Sequence, residues 1–216
     1  MRVTARPTSP AVTAVVLAAG GSSRLGTPKQ LARLRGRALL ARAVDAAAAA
    51  TGRPVIVVVG AAALRLRALV ARSFPQSAVE VVYHAGWRSG LAGSLRRGLA
   101  ALPDDAHAVL CVLSDQPLVD ARSLSRLVAA WRRRPGRAAA ARYSGRLGVP
   151  AIVPRRSFPA LRALDGDQGA RRVLAADPRV TAVEMPEAAF DVDTVEDLAR
   201  LAVAARPRTR MPRPRT

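Results

Sequence analysis

The chain is poor in residue types that many functional sites require. It has one cysteine, Cys111, and two histidines, so it can form neither a disulfide framework nor a cysteine-based metal site. Aromatic residues make up 3% of the 216 residues and are scattered, which excludes a base-stacking platform for single strands. We therefore do not expect nucleic acid to be the main partner, although the formal net charge is +20.

Long apolar runs are also missing. No uninterrupted apolar stretch reaches membrane-spanning length, and residues 1–10 lack the apolar segment of a signal peptide. We therefore expect a cytoplasmic protein with no membrane association. The excess of positive charge is expected on solvated helix faces and in the Pro- and Arg-rich residues 206–216.

Lysine occurs once, at Lys29, whereas every other side chain in the Lys and Arg count is arginine. Lys29 lies in a glycine-rich segment, 17–30, that follows the apolar residues 12–17. A lysine retained among so many arginines favours a role for a compact ammonium, such as a point charge on phosphate oxygens. Because Pro28 keeps Thr27 extended, we expect Lys29 to swing over the site and not to begin a helix.

Strand-like and helical segments alternate along the chain. Apolar runs predict strands at 12–17, 55–59, 79–83, 108–113, 138–143, 149–153 and 180–184. Helices are predicted at 61–72, 91–102, 120–133, 157–164, 168–175 and 195–204. The alternation predicts a single doubly wound α/β domain, with a mostly parallel sheet and helices on both faces. We place it at 11–205, between an N-terminal arm, 1–10, and a disordered basic tail, 206–216.

The glycine-rich loop fits neither of two common phosphate-binding motifs. Gly20, Gly21 and Gly26 lack the G-x-G-x-x-G spacing of dinucleotide-binding proteins. Thr27 and Pro28 separate Gly26 from the lysine, so the Walker A loop is also absent. A glycine-rich turn directly after a strand nevertheless presents backbone N–H groups to an anion.

The pattern L-A-A-G-x-S-x-R-x-G-x-P-K resembles the signature of the MobA-like nucleotidyltransferases, which include the molybdenum-cofactor cytidylyl- and guanylyltransferases. The resemblance implies a Rossmann-like fold and a loop that wraps a nucleoside triphosphate. It implies a catalytic role for Arg24 and Lys29 in holding the phosphates. A second segment, W-x-x-G-x-x-x-S-L at 87–95, also resembles the family. The nucleotide-binding residues implied are Leu17, Ala18, Ala19, Gly20, Gly21, Ser22, Arg24, Lys29, Gly93 and Ser94.

Two acidic segments are candidates for binding Mg²⁺. Asp115 follows the apolar run 108–113 and so lies at the rim of the core, where a carboxylate can bind this ion. The segment 190–197 resembles the family's D-x-D-T-x-x-D-L element, which implies Asp193 as the second metal ligand. Asp191 and Asp193 alternate in an extended segment, and we expect one to face the site and the other to face away. Thr194 or Asp193 is expected to cap the last helix.

Two further segments resemble the cytidylyltransferase branch of the family, which carries G-x-P and G-D-x-G-A-R. The resemblance implies acceptor-binding roles for Gly148, Pro150, Asp167 and Arg171. The helix N-terminus near Arg171 could receive a phosphate of the acceptor. The alternative is a surface loop in which Asp167 caps a helix.

Together these features predict a Mg²⁺-dependent nucleotidyltransferase that moves a nucleoside monophosphate to a phosphorylated acceptor and releases pyrophosphate. The form L-A-A-G is common in cytidine- and uridine-using relatives, and Ala19 narrows the space for a purine, so CTP is favoured. The favoured acceptor is molybdopterin-bound molybdenum cofactor, which implies a molybdoenzyme or chaperone as protein partner.

Other functions remain open. They are guanylyl or other nucleotidyl transfer to a sugar phosphate, a phospho-alditol or a phosphorylated small acid, and the activity of relatives named for nicotine blue oxidoreduction. A non-catalytic nucleotide-binding or cofactor-chaperone module is a third class.

Overall fold

The computed structural model describes residues 10–21, 27–76, 79–194, 196–197 and 199–200. The strands are β1 (Val12–Ala18), β2 (Arg33–Leu34), β3 (Arg37–Ala38), β4 (Val55–Val59), β5 (Val79–Tyr83), β6 (Ala108–Leu113), β7 (Ala139–Tyr143), β8 (Arg146–Pro154) and β9 (Thr181–Glu184). The helices are α1 (Leu39–Thr51), α2 (Ala63–Ser73), α3 (Leu91–Ala100), α4 (Ala121–Arg132), α5 (Phe158–Arg162) and α6 (Arg171–Ala175). Single 3-10 turns lie at Lys29–Leu31, Trp87–Ser89, Arg155–Ser157 and Pro186–Ala189.

Seven of the strands form one sheet in the order β5-β4-β1-β6-β8-β7-β9. Strand β8 runs antiparallel to β6 and β7, whereas the other neighbouring strands are parallel. All of β1 is buried, as expected for a continuous apolar run in the centre of a parallel sheet. The predicted doubly wound, mostly parallel sheet is confirmed.

Alternate residues of β1 face two hydrophobic layers. Ala14 and Val16 pack in the layer formed with α1, α2 and α4. Val15 and Leu17 pack in the layer formed with α3, α5 and α6. This alternation follows from the two-residue repeat of a strand, and it confirms the expectation of helices on both faces.

Helix α1 fills a stretch, 39–51, for which the sequence pattern predicted no element. Its core is a run of alanines, the residue with the highest helix propensity. The helix ends at Thr51 and is capped by Gly52, which takes the left-handed conformation with φ of 65°. Alanine is too weakly apolar to mark one face of a helix clearly, which is why periodicity missed α1.

Several predicted segments lie outside the described residues. They are residues 1–9 of the N-terminal arm, most of the helix predicted at 195–204, and the tail at 206–216. The proposed domain boundaries therefore stay predictions. Among the described residues, no helix combines the length and the apolar composition that crossing a membrane requires.

Candidate active site

The glycine-rich loop begins where β1 ends, at the carboxyl edge of the sheet. Gln30 fixes its first residues, because the buried amide Nε2 donates to the carbonyl oxygens of Ala18 (3.2 Å) and Gly20 (3.1 Å). Residues 22–26, which include the predicted Ser22 and Arg24, lie outside the described residues. Gln30 was not predicted, since nothing in the local sequence marks this amide as buried.

Lys29 begins the 3-10 turn Lys29–Leu31, so the expectation that it would not begin a helix was wrong. Pro28 itself is extended, with φ of −58° and ψ of 113°. A proline restricts the residue before it and leaves the residue after it free to turn. The carbonyl of Pro28 accepts a hydrogen bond from the N–H of Leu31 at 2.9 Å, which closes the turn.

The Lys29 ammonium lies between two carboxylates from distant parts of the chain. Its Nζ is 2.6 Å from Asp115 Oδ2 and 2.8 Å from Asp193 Oδ1. Burial by itself lowers the pKa of Lys29, but the charges and hydrogen bonds of Asp115 and then Asp193 outweigh burial and raise that pKa above its usual value. Lys29 therefore stays positively charged throughout the physiological pH range.

Asp115 has one oxygen that the lysine does not use. Oδ1 is buried and has no hydrogen-bond partner among the described residues. A carboxylate oxygen of this kind is a hard donor suited to a divalent cation such as Mg²⁺, which takes one or two carboxylates and completes its shell with water and phosphate. Within the described part of the chain, no group of three or more His, Cys, Asp or Glu forms a metal site.

The segment that carries Asp193 docks directly on Asp115. Val192 is buried between the two aspartates of the segment, and its N–H donates to the backbone oxygen of Asp115 at 2.9 Å. The carboxylate of Asp191 lies close enough to Asp115, Asp193 and Lys29 to interact with all three charges, so the expectation that one of the two aspartates would face away was wrong. Residues two apart in an extended segment share a face. Partial burial, then the charges of Asp115 and Asp193, raise the pKa of Asp191 to about 6.

Hydrogen bonds to the Asp197 carboxylate also hold the backbone of Asp193 in place. The Asp197 carboxylate accepts hydrogen bonds from the N–H groups of Asp193 (3.1 Å) and Thr194 (2.9 Å). In return, the N–H of Asp197 donates to the Thr194 hydroxyl at 3.2 Å. This reciprocal arrangement is a capping box, in agreement with Thr194 as the predicted cap.

A cavity of about 550 Å³, here called the first cavity, opens beside Lys29 and Asp115. Its volume lies in the range of about 300–1,000 Å³ that is usual for small-molecule sites. The described residues that line it are Leu17, Ala18, Ala19, Gly20, Gly21, Lys29, Gln30, Trp87, Arg88, Gly90, Leu91, Ser94, Leu113, Ser114, Asp115 and Asp167. The structure therefore brings those predicted residues of the glycine-rich loop that it describes together with Ser94.

Two residues of the segment 87–95 differ from expectation. Gly93 does not line the first cavity; a Cβ built there would lie 2.7 Å from His84 Nε2, so this glycine gives room to the imidazole. Trp87 lines the cavity although it was not among the predicted residues. A Cβ on Gly21 would lie 3.1 Å from its indole ring, so Trp87 packs against the start of the loop.

A smaller cavity of about 210 Å³, here called the second cavity, adjoins the first. The two share Leu17, Leu91, Leu113 and Asp167 in their walls. The other described residues that line the second cavity are Leu95, Cys111, Tyr143, Gly148, Val149, Gly169, Ala170 and Arg171. Three residues predicted to bind the acceptor, Gly148, Asp167 and Arg171, thus line this cavity, whereas Pro150 is buried and lines neither cavity.

A close backbone contact places Asp167 between the two cavities. Gly90 has φ of +98°, and a Cβ there would lie 2.3 Å from the carbonyl oxygen of Gly166. The N–H of Ala92 donates to that same oxygen at 3.0 Å. Only glycine permits this approach, which ties the start of α3 to the turn before α6.

The sequence profile of the MobA-like NTP transferase domain matches residues 14–182. The chain belongs to this family. Nicotine blue oxidoreductase from Paenarthrobacter nicotinovorans is 36% identical over 204 residues, which cover 89% of this MobA-like chain and 97% of that protein.

Solved structures agree with the assignment of this MobA-like chain. The crystal structure of Rv0371c from Mycobacterium tuberculosis H37Rv matches with a TM-score of 0.77 and 33% identity, over 91% of this chain and all of that one. Rv0371c in complex with manganese matches with a TM-score of 0.71, 30% identity and the same 91% coverage of this chain. The Rossmann-like nucleotidyltransferase fold expected from the sequence is thereby confirmed.

Proposed function

We propose that this MobA-like transferase moves CMP from CTP to a phosphorylated acceptor and releases pyrophosphate, with molybdopterin-bound molybdenum cofactor as the favoured acceptor. One observation carries the proposal: the Lys29 ammonium, which lines the first cavity with Asp115, lies 2.6 Å from the Asp115 carboxylate and 2.8 Å from that of Asp193. This cavity begins at a glycine-rich loop, whose backbone can approach a triphosphate closely.

In this proposal Lys29 and Arg24 bind the phosphate oxygens of the triphosphate. The attacking phosphate of the acceptor is already ionised, so the reaction needs no general base. Catalysis then consists of aligning two phosphates and neutralising charge as pyrophosphate departs. The raised pKa of Lys29 supports this role, because the ammonium remains charged at the pH of the reaction.

Asp115 and Asp193 would hold a divalent cation, and we propose Mg²⁺. The buried Asp115 Oδ1, which has no partner among the described residues, fits such an ion. The manganese complex of Rv0371c supports a divalent metal in a similar protein. When bound, the ion would neutralise negative charge on the phosphate oxygens.

The choice of CTP rests on the wall of the first cavity. Ala19 lies in that wall as part of the glycine-rich loop, where an alanine would leave less space for a purine than a glycine would. Ser94, at the start of α3, has its side chain buried in the same wall. The alanine is the feature that favours a pyrimidine base, and Ser94 offers a hydroxyl to either kind of base.

A thermal-shift screen of CTP, GTP, UTP and ATP with Mg²⁺ or Mn²⁺ tests the nucleotide. We expect CTP to raise the melting temperature most, because a ligand stabilises in proportion to the logarithm of its concentration over its Kd. Radiolabelled CTP should then release pyrophosphate in the presence of molybdopterin. If CTP binds but none of the phosphorylated acceptors leads to pyrophosphate release, the result would support the non-catalytic module.

The similarity to nicotine blue oxidoreductase, over almost the whole of that protein, favours oxidoreduction as a second candidate. Such a reaction needs a redox cofactor, and the spacing of Gly20, Gly21 and Gly26 does not match the dinucleotide fingerprint. NADH and NADPH should be included in the same screen. Stabilisation by either one beyond that by CTP would favour the oxidoreductase.

A further inference from the structure

Arg88 lines the first cavity, although no sequence pattern marked it as a site residue. It follows Trp87 in the 3-10 turn Trp87–Ser89, and its guanidinium carbon lies 4.4 Å from the centre of the Trp87 ring, a cation–π contact. The edge of that ring packs on the glycine-rich loop, because a Cβ built on Gly21 would lie 3.1 Å from Trp87 Cζ3. The indole face therefore holds the guanidinium close to the loop.

The N–H groups of this guanidinium have no other use within the described part of the chain. Apart from the contact with Trp87, no hydrogen bond or ion pair to a described residue engages Arg88. In contrast, Arg96 and Arg97 of α3 donate to the backbone oxygens of Leu164 and Tyr83. A guanidinium carries five N–H donors, so Arg88 presents an unused set of them at the cavity wall.

Arg88 and Lys29 belong to different sides of the first cavity. Lys29 contacts Asp115, which follows β6. Trp87, which holds Arg88, packs on Gly60 after β4, where a built Cβ would lie 2.6 Å from Trp87 Cβ. Strand β1 lies between β4 and β6, so two strand spacings, roughly 10 Å in all, separate the two sides. When Lys29 binds the phosphates of a nucleotide, its base therefore extends towards Arg88.

The donor pattern of a guanidinium matches one pyrimidine better than the other. Two parallel N–H groups bind best to two adjacent acceptors. Cytosine offers such a pair in O2 and N3, whereas uracil has an N–H at N3, which would face a second donor. Guanine also offers two adjacent acceptors, O6 and N7, and Ala19 disfavours that base by its size.

We infer that Arg88 recognises the base of the nucleotide and selects cytosine over uracil through paired hydrogen bonds to O2 and N3. The inference rests on the proposed function, in which CTP occupies the first cavity. It goes beyond that function, because Ala19 favours a pyrimidine without separating cytosine from uracil.

The test measures nucleotide binding apart from chemistry. Isothermal titration in Mg²⁺ compares CTP, UTP and 2-pyrimidinone ribonucleoside triphosphate, each with a methylene bridge between the α- and β-phosphates. The third base keeps O2 and N3 of cytosine but lacks the amino group. The variants are Arg88→Met, which keeps an unbranched chain against Trp87, and Arg88→Lys, which keeps the charge. Arg67→Met is the matched control, since Arg67 is exposed on α2 and lines neither cavity.

We expect wild-type protein to bind the CTP analogue about tenfold more tightly than the UTP analogue. Arg88→Met should remove most of this preference by weakening the CTP analogue and leaving the UTP analogue nearly unchanged. Arg88→Lys should lose the preference as well, because an ammonium lacks the two parallel donors. The 2-pyrimidinone analogue should bind wild-type protein more tightly than the UTP analogue and lose that advantage in Arg88→Met. Arg67→Met should bind all three as wild type does.

Three results would overturn the inference while nucleotidyl transfer stands. They are a preference for the CTP analogue that is absent in wild type or unchanged in Arg88→Met, a 2-pyrimidinone analogue bound no better than the UTP analogue, and equal weakening of all three analogues in Arg88→Met with recovery in Arg88→Lys. The last would mean that the guanidinium binds phosphate.

The proposed function fails separately. If the cytosine preference depends on Arg88 but no acceptor leads to pyrophosphate release, the inference stands and the proposed transfer is overturned. Failure of wild-type protein to bind any of the analogues would overturn both.

Discussion

The first and second cavities share a wall but are built in different ways. The first lies at the ends of the parallel strands β1 and β6, where backbone groups, Lys29 and Asp115 converge. The second lies against β7 and the antiparallel strand β8, and leucines and Tyr143 form much of its wall. The ends of the parallel strands bring charged side chains and backbone N–H donors together. The antiparallel strand β8 instead helps to set the shape of the second cavity. We therefore expect charge to govern binding in the first cavity, and both shape and the Arg171 guanidinium to govern binding in the second.

Removing the ammonium of the first cavity should have the largest effect. Lys29→Ala should lower turnover about a hundredfold, because it removes positive charge aimed at the phosphates and leaves Asp115 and Asp193 without their shared cation. Pyrophosphate release measures this. The control is Arg65→Ala, which removes an exposed cation from α2 and should leave turnover unchanged. Wild-type turnover in Lys29→Ala would show that Lys29 has no role in the reaction.

The second-largest effect is expected on the metal dependence of the reaction. Asp115→Asn should raise the concentration of Mg²⁺ or Mn²⁺ needed for half-maximal activity by about tenfold, since an amide is a weaker ligand than a carboxylate. The control is Asp105→Asn, whose side chain pairs with Arg53 at 2.6 Å and lines neither cavity. An unchanged metal titration would dismiss Asp115 as a ligand.

The second cavity should respond differently from the first. Arg171→Ala should raise the KM for the phosphorylated acceptor about tenfold and leave the KM for CTP unchanged, because a charged hydrogen bond contributes about 1.5–3 kcal/mol. Arg172→Ala alters the next residue, which is exposed and lines neither cavity, and should change neither constant. Equal increases in both KM values for Arg171→Ala would mean that the two cavities bind one ligand.

The smallest effect is expected outside both cavities. Asp120 caps α4, and its Oδ1 accepts a hydrogen bond from the N–H of Ser123 at 2.9 Å. Asp120→Ala should lower the free energy of unfolding at pH 7 by about 1 kcal/mol, measured by urea denaturation, and leave both KM values unchanged.

This effect should depend on pH. The hydrogen bond from Ser123 lowers the pKa of Asp120 in the folded protein. Its contribution to stability is therefore fully present above the unfolded pKa of about 3.9 and is lost as the pH falls through the lower folded value. Asp120→Asn keeps the cap without the charge and should show no such loss. A pH-independent difference between wild type and Asp120→Ala would contradict a carboxylate cap.

Much of the first cavity was visible in the sequence because its parts are local. Continuous apolar runs mark β1 and β6 as buried strands, and a glycine-rich loop and Asp115 follow them directly. The helix α1 escaped prediction because alanine carries little amphipathic signal. Asp191 and Asp193 share a face because they are two residues apart in an extended segment, so the expectation that they face opposite ways was wrong for a purely local reason.

Long-range features depended on how the chain is folded. Lys29 and Asp193 are 164 residues apart, and their 2.8 Å contact exists because the segment after β9 returns to the end of β6. The second cavity requires β8 to enter the sheet against the direction of its neighbours, so that Tyr143 and Gly148 line one cavity with Arg171 of α6. Local residue patterns set the strands, the loop and the positions of the charges, since these depend on near neighbours. Which distant groups meet, and what shape lies between them, was decided by the order and direction of the strands, because only packing brings separate segments into one space.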